Sequence, residues 1–403
     1  MFFTFFVDSL CWAIVFPIFA PYFLNPETPL FSSATSDATR TAILGFFLMA
    51  FSLGQFMGAP IIGEFADRHG RRKTLLTTIA CTFLGLALTA WSMSTYSLSF
   101  LFISRFMTGL FASNGSVCLA AVSDLSETIE IKSKNFGRIS VLAGIAFIVG
   151  AFVGGKLSDP TLNSFFFPEL PIWIASAFSA SNFILTSLFF KETTHIDESK
   201  PFTFFACFQN IKLALQETKL HIFYIIYFLF IFSWTILLQF MPVIMVQRFS
   251  FTGSNLGDLA LYVGVCWAFG SGHLKDWLLK VFSPSFLLKF CLVISACLTL
   301  YVTFPKEIYS LMGILGLSVI FGGVVWPLCT SFISNLAPDK MQGKILSIGQ
   351  SIQALATTIG PVVGGVAFKW SSHVPFLIAG LATGFAAWLY WSDQRKKIKI
   401  TRL

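Results

Sequence analysis

Hydrophobic residues in this chain run in blocks of about twenty, separated by short segments that hold most of the charge. Twelve such blocks stand out, near 2–24, 42–65, 74–92, 96–119, 139–157, 168–190, 221–245, 256–273, 285–304, 309–333, 345–368 and 373–391. A helix rises about 1.5 Å per residue, so each block is long enough to cross a hydrocarbon layer of roughly 30 Å. The pattern predicts an all-α membrane protein with twelve transmembrane helices. The first block, Phe2 to Leu24, lacks a basic leading region and an Ala-x-Ala-like site, so it reads as a span and not as a cleaved leader.

Lys and Arg orient the spans. With the N-terminus inside, the inner connections and the C-terminal tail hold 20 basic residues and the outer loops hold 5. That bias predicts both termini in the cytoplasm. The longest inner connection, 191–220, divides the chain into two six-helix bundles, 1–190 and 221–403, and contains a candidate surface helix, Phe202 to Thr218. Only 11% of residues are charged, against about 25% in soluble domains. The net charge of +8 is dispersed between spans, which argues against nucleic acid. Eight cysteines are scattered through apolar runs without any Cys-x-x-Cys pair, and five histidines show no ligand spacing. No disulfide, metal or cofactor is implied. Gly150-Ala-Phe-Val-Gly154-Gly155-Lys156-Leu157 approaches a phosphate-binding loop but has Leu157 where a hydroxyl must hold magnesium, which excludes ATP as the driver. No catalytic constellation is present, so the reading is not an enzyme.

The densest charge lies between the second and third spans, in Gly63-Glu-Phe-Ala-Asp67-Arg68-His-Gly70-Arg71-Arg72-Lys73. Gly63 is expected to admit a close helix neighbour, and Gly70 to make a turn at positive φ. Asp67 suits the positive end of a neighbouring helix, and the basic residues anchor the loop on the inner side. The pattern Gly-x-x-x-Asp-Arg-x-Gly-Arg-Arg-Lys resembles the signature loop of the major facilitator superfamily. The resemblance implies the major facilitator fold, two pseudo-symmetric six-helix bundles that move by alternating access. An internal repeat agrees with it: Gly150, Gly154 and Gly155 in the fifth span match Gly360, Gly364 and Gly365 in the eleventh. Such spacing lets helices pack closely, as a static seam or as a hinge.

Gly360-Pro361-x-x-Gly364-Gly365 is similar to the antiporter motif of drug–proton exchangers, which normally lies in the fifth helix. There this chain has Ala151 in place of the proline.

Charges within membrane spans cost about 2.5–3.5 kcal/mol and mark candidate sites. Asp8, nine residues before Pro17 in the first span, resembles the start of tetracycline–proton antiporters. Loss of hydration at that depth lets its carboxyl take up and release a proton, although a hydrated residue at the helix start fits as well. Arg105, four residues before Gly109, resembles the fourth-helix motif of the superfamily, and Asp8 is its candidate partner. Asp124, followed by Asn135-Phe-Gly137, again resembles the tetracycline exporters, and the resemblance implies a pair with Arg71 that locks one conformation.

In the second half, Gln350, Gln353 and Thr357 share one helical face. Gln239, Tyr262 and Trp326, with Trp267 and Thr330, are further candidates for lining a cavity between the bundles. Buried packing accounts for each of them equally well. The expected function is proton-coupled transport of a small molecule, most simply export of a drug-like compound or metabolite by a monomer in a bacterial inner membrane. Uptake of a nutrient or of a metal-chelating, siderophore-like metabolite is the alternative. A non-transporting receptor is a distant third.

Overall fold

A computed structural model describes residues 1–112, 114–125, 128–193, 209, 212, 220–335 and 342–400. Of the candidate surface helix Phe202 to Thr218, only positions 209 and 212 are among the described residues; the rest lies outside them. Among the described residues the chain is helical, with ten helices long and apolar enough to cross a membrane. In chain order the individual α-helices begin with α1 (Phe2–Ile14), α2 (Phe19–Leu24), α3 (Asp37–His69) and α4 (Arg71–Ser94). α5 (Leu98–Phe111), α6 (Asn114–Asp124), α7 (Ile129–Leu157) and α8 (Leu170–Phe189) follow. The second half holds α9 (His221–Phe249), α10 (Gly253–Ala268), α11 (Lys275–Val281), α12 (Pro284–Tyr301), α13 (Ile308–Asn335), α14 (Gln342–Ala367) and α15 (Val374–Ile400).

Three predicted spans are interrupted. Pro17 has no amide hydrogen to continue the ladder, and the first span breaks into α1 and α2 around Val15–Ile18. The fourth divides into α5 and α6. The eighth passes from α10 to α11 through a π-helical turn, Phe269–Leu274. Interrupted spans in transporters place backbone and polar groups where ions and cargo pass. The predicted span 345–368 coincides, but for its last residue, with the unbroken helix α14, which is too polar to count among the ten: Gln350, Gln353, Thr357 and Thr358 dilute its apolar residues.

The chain forms two compact units. Unit 1 comprises Met1–Arg40, Ala50–Ala206 and Met245–Leu261. Unit 2 comprises Thr41–Met49, Cys207–Ile244 and Tyr262–Leu403. Between transmembrane helices, lipid removes the usual hydrophobic drive, so small residues and hydroxyls set the packing. In unit 1, α1 packs against α6, α7 and α8, and α4 against α5 and α8. Ser176 and Ser179 of α8 donate to the carbonyls of Phe83 and Ile79, both at 3.3 Å. Thr89 of α4 donates to Ser104 of α5 at 2.9 Å. In unit 2, Thr299 of α12 meets Ser318 of α13 at 3.2 Å. Large exposed side chains such as Ile103, Ile184 and Leu381 present the apolar surface that lipid requires.

Candidate functional site

The signature loop is compact. Gly70 joins α3 to α4 at φ 88°, a left-handed conformation that favours glycine. Arg71 follows at the first position of α4. Its Nη1 reaches Asp67 at 2.8 Å, and its Nε reaches Asp124, at the end of α6, at 3.3 Å. One guanidinium therefore holds the ends of three helices. Arg68 lies in the last turn of α3.

The start of α4 carries a second clamp, absent from the sequence reading. Both carboxylate oxygens of Glu192 accept backbone N–H groups, from Arg71 at 2.8 Å and from Arg72 at 3.0 Å. A carboxylate there satisfies two of the amides a helix start leaves open and lies at its positive end. The Arg72 side chain adds bonds to the carbonyls of Phe190 and Ser187, both at 2.8 Å. The loop is thereby tied to the segment that leads into the inter-half connection. One expectation needs correcting: a side chain at Gly63 would meet nothing within 4 Å among the described residues, so no close helix neighbour explains that glycine.

Asp8 occupies the middle of α1, half-buried, and its Oδ1 accepts the Nδ2–H of Asn114 at 2.7 Å. Asn114 is fully buried and opens α6, where Gly115 lets the helix approach Phe5 of α1. Arg105, the partner expected for Asp8, is buried with its guanidinium 5.1 Å from the Phe19 ring centre and 4.6 Å from that of Phe51. Aromatic faces stabilise such a cation where water is scarce. The structure thus gives Asp8 and Arg105 separate partners.

The fifth-span glycines seat α7 on both neighbours. A Cβ on Gly150 would stand 2.8 Å from the Leu10 carbonyl oxygen, and one on Gly154 would stand 3.0 Å from Ile14 Cα. Gly155 lies against Gly253 and Gly257 of α10. Just beyond, Lys156 Nζ donates to Ser254 at 2.8 Å and to Asp258 at 2.9 Å. Asp159 accepts the Ser254 backbone N–H at 3.0 Å and both the amide and hydroxyl of Thr161. Burial pushes the Asp159 carboxyl up, but hydrogen bonds from Thr161, Thr252 and Ser254 outweigh it and hold the group below its ordinary value. In the eleventh span, Gly360 lies against Thr235, Gly364 against Phe240, and the Pro361 carbonyl against Gly45.

Unit 2 gathers part of the cavity set. Tyr227, which the sequence reading missed, donates to Gln353 at 2.8 Å and stands edge-on to Trp326. Trp267 lies between Trp326 and Trp234, with ring centres 5.6 and 4.7 Å away. Gln239 has a buried carbonyl oxygen without a hydrogen-bond partner among the described residues. Tyr262 is committed to the Met312 carbonyl at 2.9 Å, which ties α10 to α13, and Thr357 to the Ala354 carbonyl of its own helix at 2.9 Å. Gln350 is exposed. A cavity of about 460 Å³ lies elsewhere, along Gly272, His273, Asp276, Trp277 and Lys280.

Comparisons with known proteins identify the family and the fold. The family model described as Major Facilitator Superfamily matches residues 1–322 and again 223–402. The chain belongs to the Major Facilitator Superfamily. This superfamily member is a multi-pass membrane transporter of small molecules and not an enzyme. It is 22% identical to Multidrug resistance protein 2 of Bacillus subtilis (strain 168), covering 87% of each chain. It is 23% identical to the class H tetracycline resistance protein of Pasteurella multocida, covering 91% of this chain and 87% of the relative. In fold it is similar to the human organic anion transporter MFSD10 (TETRAN), with a TM-score of 0.71, 20% identity, and coverage of 96% and 97%.

Proposed function

We propose that this superfamily member is a proton-driven exporter of a drug-like compound or metabolite. The observation that carries the reading is Asp8, a half-buried carboxylate inside a membrane span, held by a neutral amide and not neutralised by a cation. Such a group can charge and discharge as the protein opens to either side. Arg105, stacked on Phe19 and Phe51, adds fixed positive charge to the same unit. The bridges of Arg71 to Asp67 and Asp124 form the inner gate, and the glycine seams at Gly150, Gly154, Gly155, Gly360 and Gly364 let helices slide. Tyr227, Trp326 and Gln353, with Gln239, offer cargo contacts. Relatives named for multidrug and tetracycline resistance support export. The two halves, 1–190 and 221–403, alternate access in a monomer of a plasma membrane, with both termini cytoplasmic.

Flux of a mixed metabolite and drug panel in proteoliposomes, with and without a pH gradient, tests the reading. Cargo moving against protons, and loss of that coupling in Asp8→Asn with the fold intact, supports it. Full coupled flux in Asp8→Asn sinks the carrier assignment. A second reading, proton-linked uptake, is favoured by Ala151 in place of the antiporter proline and by buried Arg105 as a site for an anionic group. Cargo moving with protons selects it.

A further inference from the structure

The contact between α1 and α6 carries one more step, which rests on the reading of Asp8 as proton carrier. Asn114 is fully buried, and its Nδ2 donates to Asp8 at 2.7 Å. Its own Oδ1 is also buried and has no hydrogen-bond partner among the described residues. A carbonyl oxygen left this way loses its hydration with nothing in return, so simple packing is a poor reason for an asparagine here. The two ends of a carboxamide differ only in sense: one donates and one accepts. An ionised carboxylate can only accept, whereas a protonated one must also donate.

We infer that Asn114 is the positioning residue of the proton carrier, turning its amide over as Asp8 changes state. Nδ2 faces the ionised carboxylate, as in this structure. When Asp8 binds a proton from water, its new O–H donates to Asn114 Oδ1, and the amide N–H groups take the opposite side. On release the proton returns to water and the amide turns back. No bond of Asn114 is made or broken. A fixed cation in its place would hold the ionised state alone. The neighbouring side chains do not compete for this role. Cys11 donates to the Ala175 carbonyl at 3.2 Å, Thr4 meets Thr186 at 3.4 Å, and Cys118, one turn beyond Asn114, is a weak donor and acceptor.

The test is infrared difference spectroscopy of the full chain in lipid films, stepped between alkaline and acidic buffer. The Asp8 carboxyl band is identified by its absence in Asp8→Asn. Asn114→Thr and Asn114→Val have the same shape and differ in one hydroxyl that can both donate and accept. The inference expects the carboxyl band to keep its hydrogen-bonded frequency in Asn114→Thr and to move to the higher frequency of a free acid in Asn114→Val. It also expects an amide carbonyl band that shifts with the carboxyl band in the wild type and disappears in Asn114→Thr, a readout that stands even if Asn114→Val does not fold. An unmoved carboxyl band in Asn114→Val, or a pH-dependent amide band that persists in Asn114→Thr, overturns the inference. Absence of any Asp8-dependent band in the wild type overturns instead the carrier reading beneath it.

Discussion

Glu192 accepts the backbone N–H of Arg71 at 2.8 Å, across 121 positions of sequence. The residue whose side chain bridges Asp67 and Asp124 is thus held by its main chain from a different direction. Removing the cap, in Glu192→Ala, should cost about 1 kcal/mol, the usual worth of a helix N-cap. The effect should be local: faster hydrogen exchange at the first turn of α4, with Glu192→Gln in between. Unchanged exchange would count against the clamp.

Arg105 between Phe19 and Phe51 makes a different demand. Arg105→Lys keeps the charge but loses the flat guanidinium that covers the rings. Coupled flux should fall about tenfold, equivalent to roughly 1.4 kcal/mol, while Arg105→Ala should lose more. Wild-type flux in Arg105→Lys would show that the charge alone suffices.

The glycines divide into two kinds. A Cβ on Gly154 would press on the backbone of Ile14, whereas one on Gly63 meets open space among the described residues. Gly154→Val should destabilise by about 1–3 kcal/mol through overpacking. Gly63→Ala should leave the melting temperature nearly unchanged. The pair can be compared in one detergent melting series, and equal losses would contradict the packing described.

Asp159 predicts a pH dependence. Its folded carboxyl lies below the ordinary value of 3.8. Its contribution is therefore complete above the ordinary carboxylate range and is lost as pH falls through the lower folded value. The melting-temperature gap between wild type and Asp159→Asn should hold steady near neutrality and close in acid. A gap that widens in acid would reverse the sign of this argument.

Much of this was legible because lipid writes long apolar blocks into a sequence. The signature loop was readable through its fixed spacing, as was the role of Gly70 as a positive-φ turn. Glu192 was not, since nothing in Lys191-Glu192-Thr193 shows which helix start, far back in the chain, it will cap. The partner of Asp8 was read as Arg105 because opposite charges attract in apolar surroundings. Two rings took that cation instead, and among 49 phenylalanines no pattern singled out Phe19 and Phe51. Asn114 was hidden as a small polar residue beside Gly115. Its meaning depends on the break between α5 and α6, which the continuous apolar run of the fourth span conceals.

The bridge of Lys156 to Asp258 leaves both side chains partly exposed, at 30% and 52%, and Asp67 opposite Arg71 is 42% exposed. Dissolved ions screen such pairs over about 8 Å at physiological strength, but they hardly reach a bond like that of Asp8 to buried Asn114. Salinity therefore acts on these exposed ion pairs and hardly on the contact of Asp8 with Asn114. On the proposed reading of Asp8 as proton carrier, changing the salt concentration alters turnover and leaves the ratio of protons to cargo fixed.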